Sequence, residues 1–283
     1  EIKLFKLFKN NKMNRKEIRD LLYKRIIDNR KNIQNQYNLS KDKIGYFYID
    51  EVFPLELANR IFEKFPKITE AVKKKNLREF KYTAYQMNKY DNLLEEVIYA
   101  FQDEKIIELI AEICGLKSVY ADESLYAGGL SLMEKDNFLN PHLDNSHDKN
   151  LNNWRVLNLL YYVTPNWNLE NGGNLELWPK GLSDKPLIIV SKFNRLVVMT
   201  THQKSWHSVS KVLKNEVRCC VSNYYFSDFP VLNSDQFHVT TFRGRPKERL
   251  IDFLLQIDNN LRKSLRKLFK KGIRENPHQY KKS

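Results

Sequence analysis

The chain of 283 residues is 42% hydrophobic and 12% aromatic, enough apolar material for one principal domain with a substantial core. Its formal net charge is +14, and no apolar run approaches the roughly 18 residues of a membrane span. The opening EIKLFKLFKNNK lacks a long apolar centre and a small-residue cleavage site, so no secretory signal is expected. Three cysteines exclude a disulfide framework, because one pair would leave an odd thiol. These features predict a protein of a reducing, cytoplasmic compartment.

Positive charge is concentrated at the two ends of the chain. Residues 1–33 carry 11 Lys/Arg against 4 Asp/Glu, and residues 243–283 carry 13 against 4. Basic ends around a nearly neutral centre predict that an anionic surface would be contacted at the periphery; the alternative is that these residues are solvated helix faces. No nucleic-acid-binding motif accompanies them, so no nucleic acid partner is expected.

Up to about residue 116, the apolar spacing predicts helices. Apolar residues recur at three- and four-residue intervals in 13–33, 54–65 and 92–115, with Pro54 in front of the second and Gly115 closing the third. Between the first two, GYFYIDEVF alternates and is rich in aromatic residues. This segment is predicted to be a strand that leads into a helix.

After residue 116 the pattern changes to short β segments, separated by turn signals such as NGGN and KGLSD. Many strands without intervening helices predict an antiparallel sandwich or barrel. The segments are GGLSLM, RVLNLLYYV, NLELW, PLIIV, RLVVMT, HSVSKV and VRCCVSNYYF. The end of the chain returns to a basic helix, whose apolar stripe is expected to pack on the barrel. The stripe comprises Leu254, Ile257, Leu261, Leu265 and Leu268.

The segment NPHLDNSHDKN is rich in possible metal ligands. On a strand, side chains two residues apart point the same way, so His142 and Asp144 can bind one ion together. A second histidine would complete the 2-His-1-carboxylate triad, which leaves positions open on Fe(II). The downstream candidates are His202, His207, His238 and His278. We predict His207 as this ligand, because it opens a short β segment of the same barrel, with His202 as the alternative; His238 and His278 lie beyond the barrel. The second His-Asp pair of the segment is expected to lie in a loop.

An arginine-containing strand follows the second histidine. Strand alternation in VRCCVSNYYF places Arg218, Ser222 and Tyr224 on one face. An Arg inside a barrel is costly unless it meets a carboxylate, and its planar guanidinium suits bidentate capture of a dicarboxylate. The alternative is that Arg218 sits at the barrel rim and pairs with solvent or a loop acid.

Two polar residues of RVLNLLYYV are candidates for substrate contact. Asn158 shares a face with Tyr162, four residues later, and Arg155 starts the strand, where it could reach the pocket mouth. For Asn158 the alternative is a structural role with satisfied hydrogen bonds.

Taken in order, these segments resemble the prolyl 4-hydroxylase-like branch of the Fe(II)/2-oxoglutarate-dependent oxygenases. The resemblance covers about 100 residues, from GGLSLM to NYYFSD. Its motifs are H-x-D in PHLDN, R-x5-YY in RVLNLLYYV, GG-x-L-x-L in GGNLELW, the strand NRLVVMT, H-x-V in HSV and the Arg strand ending in YYF. The upstream GYFYIDEVFPLELANRIF is similar to the family's first strand and helix. Some members place a tyrosine about ten residues before the first histidine, where ungapped counting gives Leu132 here.

The resemblance implies an α+β fold: a double-stranded β-helix, or jelly-roll of the cupin type, with N-terminal helices packed on it and a C-terminal basic helix. Three parts of the chain are expected. They are a basic helical segment at 1–45, the oxygenase domain at 46–230 with its jelly-roll core at about 117–228, and a basic helical extension at 231–283.

The resemblance also implies the cofactors and their ligands. Fe(II) would be bound by His142, Asp144 and His207, with 2-oxoglutarate and O2 as cosubstrates. Arg218 would bind the distal carboxylate of 2-oxoglutarate and Tyr162 would hydrogen-bond it. The polar side chains of Ser222 and Tyr224 are expected to line the same end of the pocket.

The implied activity is hydroxylation of an unactivated C–H bond on a peptide or protein side chain, with release of succinate and CO2. The alternative substrate is a small molecule such as an amino acid, sugar or glycolipid headgroup. A further alternative is a non-catalytic barrel used as a binding module. Because Asp144 keeps a carboxylate where related halogenases carry a small residue, hydroxylation is favoured over halogenation.

Overall fold

The structure, a computed structural model, describes residues 13–269 and 279–281. Within them, six α-helices accompany one curled antiparallel sheet. The helices are α1 (Arg15–Asp28), α2 (Arg30–Ser40), α3 (Leu55–Glu63), α4 (Asn92–Ala100), α5 (Glu104–Cys114) and α6 (Arg249–Leu268). None of the six described helices combines the length and the apolar character that a membrane span requires.

Two of the predicted helices are each divided in two. The first breaks at Asn29, which ends α1 and precedes α2. The second breaks before Asp103, whose side chain accepts from the backbone N–H of Lys105 and starts α5 as a new helix. Gly115, in the left-handed conformation with φ 65°, ends α5 as predicted.

Thirteen strands form the sheet in the described part of the chain. They are β1 (Tyr46–Ile49), β2 (Val72–Lys75), β3 (Glu79–Ala84), β4 (Val119–Ala121), β5 (Gly129–Met133), β6 (Phe138–Leu143), β7 (Trp154–Tyr162), β8 (Leu175–Leu177), β9 (Leu187–Ile189), β10 (Arg195–Thr200), β11 (His207–Val209), β12 (Arg218–Ser227) and β13 (Thr241–Phe242). Their order is β1-β10-β7-β12-β5-β3-β6-β11-β8-β9; β2 pairs with β3, β4 with β12 and β13 with β6. The predicted fold class, a jelly-roll with helices packed on it, is confirmed.

Strand β7 shows how the sheet separates its core from its interior. Leu157, Leu159 and Tyr161 belong to the large apolar core that the sheet shares with the N-terminal helices. Leu160 and Tyr162 point the other way, into a smaller cluster inside the curl. Because both faces are buried, RVLNLLYYV reads as an almost continuous apolar run.

Four strands, β2, β3, β4 and β13, were not predicted from the sequence. The first two form a hairpin, and the VKKK of β2 carries no apolar alternation because it is a mostly exposed edge strand. β3 inserts between β5 and β6 and so widens the sheet beside the predicted metal ligands. The two residues of β13 are too few for a period-2 pattern, yet they pair with β6 and place Phe242 opposite His142.

The predicted packing of the apolar stripe of α6 on the barrel is wrong. Leu254, Ile257, Leu261 and Leu265 are 41%, 44%, 61% and 44% exposed. The side chain of Leu268 lies outside the described structure. These four residues are therefore largely exposed instead of forming the main contact with the barrel, although Leu265 also borders a cavity that opens beside the barrel.

Helix α6 docks instead through a mainly polar face. The side chain of Asn259 accepts from the backbone N–H of Phe242 at 3.0 Å and donates to its carbonyl, and Leu255 is buried beside it. Asp252 accepts from the side chain of Arg243 and the backbone of Gly244. The docking face of α6 is polar because the helix lies against the short β13 and its flanking loop, whose backbone groups form hydrogen bonds with it.

Candidate active site

The cross-strand register brings the two predicted histidines together. β6 and β11 are antiparallel neighbours in which His207 pairs with His142, and the two rings lie 4.1 Å apart between centroids. β6 ends at Leu143, so Asp144 lies one residue beyond the strand on which it was expected. Even so, one potential ligand atom from each of the three residues lies within 4.8 Å of the others.

Hydrogen bonds fix which ring nitrogens face the site. Nδ1 of His142 lies 2.9 Å from the carbonyl of Asn140, and Nδ1 of His207 lies 2.9 Å from the carbonyl of Ser205. A carbonyl only accepts, so each Nδ1 carries the proton and each Nε2 keeps a free lone pair. Those Nε2 atoms lie 3.8 and 3.7 Å from the carboxylate of Asp144.

The electrostatics favour a neutral His142 beside an ionised Asp144. Burial, followed by the proximity of His207, lowers the pKa of His142 to about 3. Burial alone would raise the pKa of Asp144, but Arg155 at 3.5 Å and the two histidines bring it below its usual value. These are the protonation states that metal ligands require.

The donor set fits Fe(II). Within the described structure, Oδ2 of Asp144 is buried without a hydrogen-bond partner and lies 3.7 Å from Nε2 of His207, while Oδ1 lies 3.8 Å from Nε2 of His142. Three acceptors converge without a donor between them, an arrangement that a divalent cation satisfies. Two imidazoles and one carboxylate are typical of non-haem Fe(II) sites with open positions. Among the residues that the structure describes, no other His, Cys, Asp and Glu side chains form such a cluster.

The alternative histidines lie outside this cluster. Nδ1 of His202 accepts a hydrogen bond from the backbone N–H of Lys204, so it is already used. His147 follows the strand in a loop, as predicted, with its ring centroid 4.1 Å from that of Trp154 and the two planes tilted by 44°. His278 lies outside the described residues.

Arg218 is a buried cation at the start of β12, 3% exposed. Its Nε donates to Ser191 Oγ at 3.2 Å, its Nη1 lies 3.4 Å from Met133 Sδ, and its guanidinium is 4.8 Å from the centre of the Tyr162 ring. No carboxylate of the described residues pairs with it. Burying an unpaired charge costs several kcal/mol, so Arg218 fits an anionic ligand with two acceptor oxygens.

The side chain of Tyr162 is suited to the same ligand, although it contacts Arg218 and does not line the cavity itself. Its hydroxyl has no hydrogen-bond partner of standard geometry. Burial raises the pKa of Tyr162 to about 12, so the hydroxyl keeps its proton and can donate.

One cavity of about 560 Å³ connects the two groups of residues. Its wall includes the His142, Asp144 and His207 cluster and Arg218. The other predicted site residues Ser222, Tyr224, Asn158 and Arg155 also line it. The structure therefore brings all predicted site residues to this cavity or, for Tyr162, directly behind it.

Two predicted positions differ in detail. Arg155 is 6% exposed and lies beside Asp144 with its guanidinium over the Tyr224 ring, instead of reaching the pocket mouth. Leu132, given by ungapped counting, points into the apolar core, and Met133 faces Arg218.

Sequence reasoning missed Ser191 and Phe242. Ser191 comes from the loop after β9 and holds Nε of Arg218. Phe242 stacks on the ring of His142, with centroids 5.0 Å apart and planes 17° apart. Neither position carries a spacing signal, because both contacts depend on how distant segments meet.

Comparison with known proteins agrees with this geometry. Residues 128–226 match the family model described as the 2OG-Fe(II) oxygenase superfamily. A prolyl-4-hydroxylase structure from Pseudomonas putida is 13% identical, with a TM-score of 0.53, covering 69% of this chain and 98% of that one. One from Phytophthora capsici is 17% identical, with a TM-score of 0.54, covering 92% and 82%. No curated protein matches the chain.

Residues 128–226 are therefore similar to the 2OG-Fe(II) oxygenase superfamily, the family that the sequence motifs predicted. Members of this family use Fe(II), 2-oxoglutarate and O2. The predicted enzyme class, an Fe(II)- and 2-oxoglutarate-dependent dioxygenase, is confirmed at the level of the family. At 13% and 17% identity, the two solved structures provide evidence for the fold alone.

Proposed function

We propose that this protein hydroxylates an unactivated C–H bond of a peptide or protein side chain. The observation that carries the proposal is one cavity lined by an all-acceptor His-Asp-His cluster and by a buried arginine that pairs with no carboxylate of the described residues. With Fe(II), 2-oxoglutarate and O2 bound there, oxidation of the substrate would be coupled to formation of succinate and CO2.

The roles of the chain's own residues follow from their contacts. Nε2 of His142 and of His207 and the carboxylate of Asp144 would hold the metal. The backbone carbonyls that bind each Nδ1 fix the orientation of both rings. Arg155 would keep Asp144 in place through its contact at 3.5 Å.

A second set of residues would bind the cosubstrate and face the substrate. Arg218 and Tyr162 would bind the distal carboxylate of 2-oxoglutarate, and Ser222 and Tyr224 would line that end of the cavity. The side-chain Nδ2 of Asn158 donates to the Tyr224 hydroxyl at 3.3 Å. The side-chain oxygen Oδ1 of Asn158 is buried without a hydrogen-bond partner in the described structure. That oxygen is available to accept a hydrogen bond from a substrate.

A peptide is favoured over a small molecule because the cavity continues along the surface. A second cavity, of about 930 Å³, shares Val239 and Arg266 with the first. Together they exceed the size typical of small-ligand pockets and suit a chain-like ligand. A prolyl hydroxylase from Trichoplax adhaerens, 17% identical with a TM-score of 0.50 over 74% of this chain and 96% of that one, was solved with a hypoxia inducible factor peptide fragment. The alternative remains an amino acid, sugar or glycolipid headgroup.

The proposed activity is tested by turnover of a peptide library. With Fe(II) and 2-oxoglutarate, the full chain should form succinate and add one oxygen atom to a subset of peptides, as measured by mass spectrometry. The matched controls are the same reaction without Fe(II) and the variant Asp144→Ala. Succinate formation with oxidation of small molecules alone would contradict the peptide substrate, and a complete lack of Fe(II)-dependent succinate would refute the enzyme.

We further propose the division into parts at 1–45, 46–230 and 231–283, and a cytoplasmic location. The three cysteines support a reducing compartment, because Cys114, Cys219 and Cys220 are all free and buried. The division is supported by the family match within the middle part, although β13 from the last part joins the same sheet.

We also propose that the basic C-terminal helix contacts an anionic lipid surface. Leu250, Phe253 and Leu261 of α6 are 73%, 60% and 61% exposed, and the helix also carries Lys263 on its surface. An exposed apolar stripe beside cations is typical of helices that lie in a membrane interface, where each Lys or Arg adds about 1 kcal/mol.

Vesicle binding tests this contact. The full chain should sediment with phosphatidylcholine vesicles that contain phosphatidylserine, and less so at high salt, because salt screens the attraction. The double variant Leu250→Ser/Phe253→Ser should lose binding. Leu39→Ser, at an 81% exposed position of α2, is the matched control. Equal sedimentation with and without phosphatidylserine would refute the proposal.

A further inference from the structure

The mouth of the cavity carries an excess of positive charge. Apart from Arg155, which lies beside Asp144, and Arg218, which would bind the cosubstrate, five cations of the described residues line it: Lys74, Arg78, Lys81, Arg262 and Arg266. They come from two sides, β2 and β3 with their connecting turn on one and α6 on the other. The mouth is thus a cationic opening between the β2-β3 hairpin and the C-terminal helix.

Only two carboxylates partner these cations among the described residues. Lys81 pairs with Glu79 at 2.9 Å. Asp258 of α6 is shared, with Arg262 at 3.0 Å and Arg78 at 3.8 Å. Three positive charges are left in excess, and the shared Asp258 links the two sides of the mouth.

Two of the cations have no salt bridge within the described structure. Lys74 is partly buried, and burial, followed by repulsion from Lys81, lowers its pKa to about 8, so it remains mostly charged near neutrality. Nη1 of Arg266 is buried without a hydrogen-bond partner. Desolvated cations without a partner are costly, and an anion between them would offset that cost.

Neither the metal nor the cosubstrate accounts for these charges. The carboxylate of Asp144 is compensated by Arg155 and by the metal that it would hold, and Arg218 would take the distal carboxylate of 2-oxoglutarate. Arg266 instead lines both this cavity and the neighbouring one, along the path that a longer substrate would follow.

We infer that the mouth binds an oxyanion group of the substrate, a carboxylate or a phosphate, held by Lys74 and Arg266. This rests on the proposed function and names the substrate class: an acidic or phosphorylated peptide segment. Lysine and arginine donors are the usual partners of both oxyanions, and charge-assisted hydrogen bonds are stronger than neutral ones.

Fluorescence anisotropy tests the inference without turnover. The full chain, loaded anaerobically with Fe(II) and 2-oxoglutarate, is titrated into three labelled hexapeptides: hexaglutamate, hexaglutamine and a neutral peptide with one phosphoserine. Hexaglutamate or the phosphoserine peptide should bind at least about tenfold more tightly than hexaglutamine, and the difference should shrink with salt. Binding of only one of the two anionic peptides would identify which oxyanion the mouth takes.

Two double variants separate the mouth from the general basicity of the chain. Lys74→Gln/Arg266→Gln should weaken binding of the preferred anionic peptide about tenfold. Lys31→Gln/Lys41→Gln removes the same charge from exposed positions and should leave binding unchanged. Thermal melts verify that both variants fold, and the single variants Lys74→Gln and Arg266→Gln replace the double variant if it does not.

Different experimental results would refute the cationic mouth and the proposed oxygenase activity. Equal affinity for all three peptides, or equal loss in the two double variants, would overturn the cationic mouth even if the enzyme forms succinate. Selective binding of an anionic peptide by a chain that forms no succinate would uphold the mouth and refute the oxygenase activity.

Discussion

Replacing His207 with Ala is expected to abolish Fe(II) binding and turnover. The site has two imidazoles and one carboxylate, the smallest set that holds Fe(II) and leaves exchangeable positions. Loss of groups that merely orient a ligand costs about 10- to 100-fold in metal affinity, so loss of a ligand should cost more than about 100-fold. Anaerobic titration calorimetry with Fe(II) measures the affinity, and succinate formation measures the turnover.

The matched control for this experiment is His202→Ala. His202 is also a buried histidine of the same region, but its Nδ1 accepts from the Lys204 backbone and it lies outside the ligand cluster. The control should bind Fe(II) like the wild type. Retained binding in His207→Ala together with lost binding in His202→Ala would show that the distal ligand was assigned incorrectly.

Much of the fold can be predicted because the sequence pattern is local. The apolar spacing of α3 and α5 and the run RVLNLLYYV of β7 each reflect burial of the element itself. β2 and β13 could not be predicted, because one is an exposed lysine-rich edge and the other has two residues. Their positions depend on the neighbouring strands that they join.

For helix α6, the sequence predicts the helix but not the face through which it packs. Its apolar spacing was correctly predicted to be helical, but the pattern does not reveal which face meets the protein. Asn259 and Asp252 make the contact through hydrogen bonds to β13 and the loop after it, and the apolar stripe remains outside. Apolar residues at helical spacing indicate an amphipathic helix, whereas only the tertiary structure shows what covers its apolar face.

The candidate site was predictable as far as residue types and strand alternation allow. Arg218, Ser222 and Tyr224 meet at the cavity as the two-residue period of their strand requires, and Asp144 reaches His142 from one residue beyond the strand. That His142 and His207 face each other depends on the register of β6 against β11. This register contains an irregularity between His207 and Val209, and no local pattern in the sequence indicates it. The cationic mouth depends on β2, β3 and α6 meeting in space, which no spacing in the sequence could have shown.

Replacing Arg218 with Lys is expected to weaken 2-oxoglutarate binding while Fe(II) binding survives. Lysine keeps the charge but loses the planar fork that can donate to two carboxylate oxygens at once. The loss of a charged hydrogen bond is worth about 1–3 kcal/mol, or roughly 5- to 150-fold in apparent affinity for 2-oxoglutarate. The measurement is the dependence of succinate formation on 2-oxoglutarate concentration, with Fe(II) affinity determined separately.

Arg195→Lys provides the matched control for that change. Arg195 of β10 also carries a largely buried guanidinium, but it is paired with Asp50 at 2.5 Å, so its charge is already satisfied within the protein. Arg218 has no such partner among the described residues, and only a ligand can compensate it. Arg195→Lys should therefore leave the 2-oxoglutarate dependence unchanged. If Arg218→Lys left it unchanged as well, the buried arginine would not be the cosubstrate ligand, and Tyr162 would lose its role beside it.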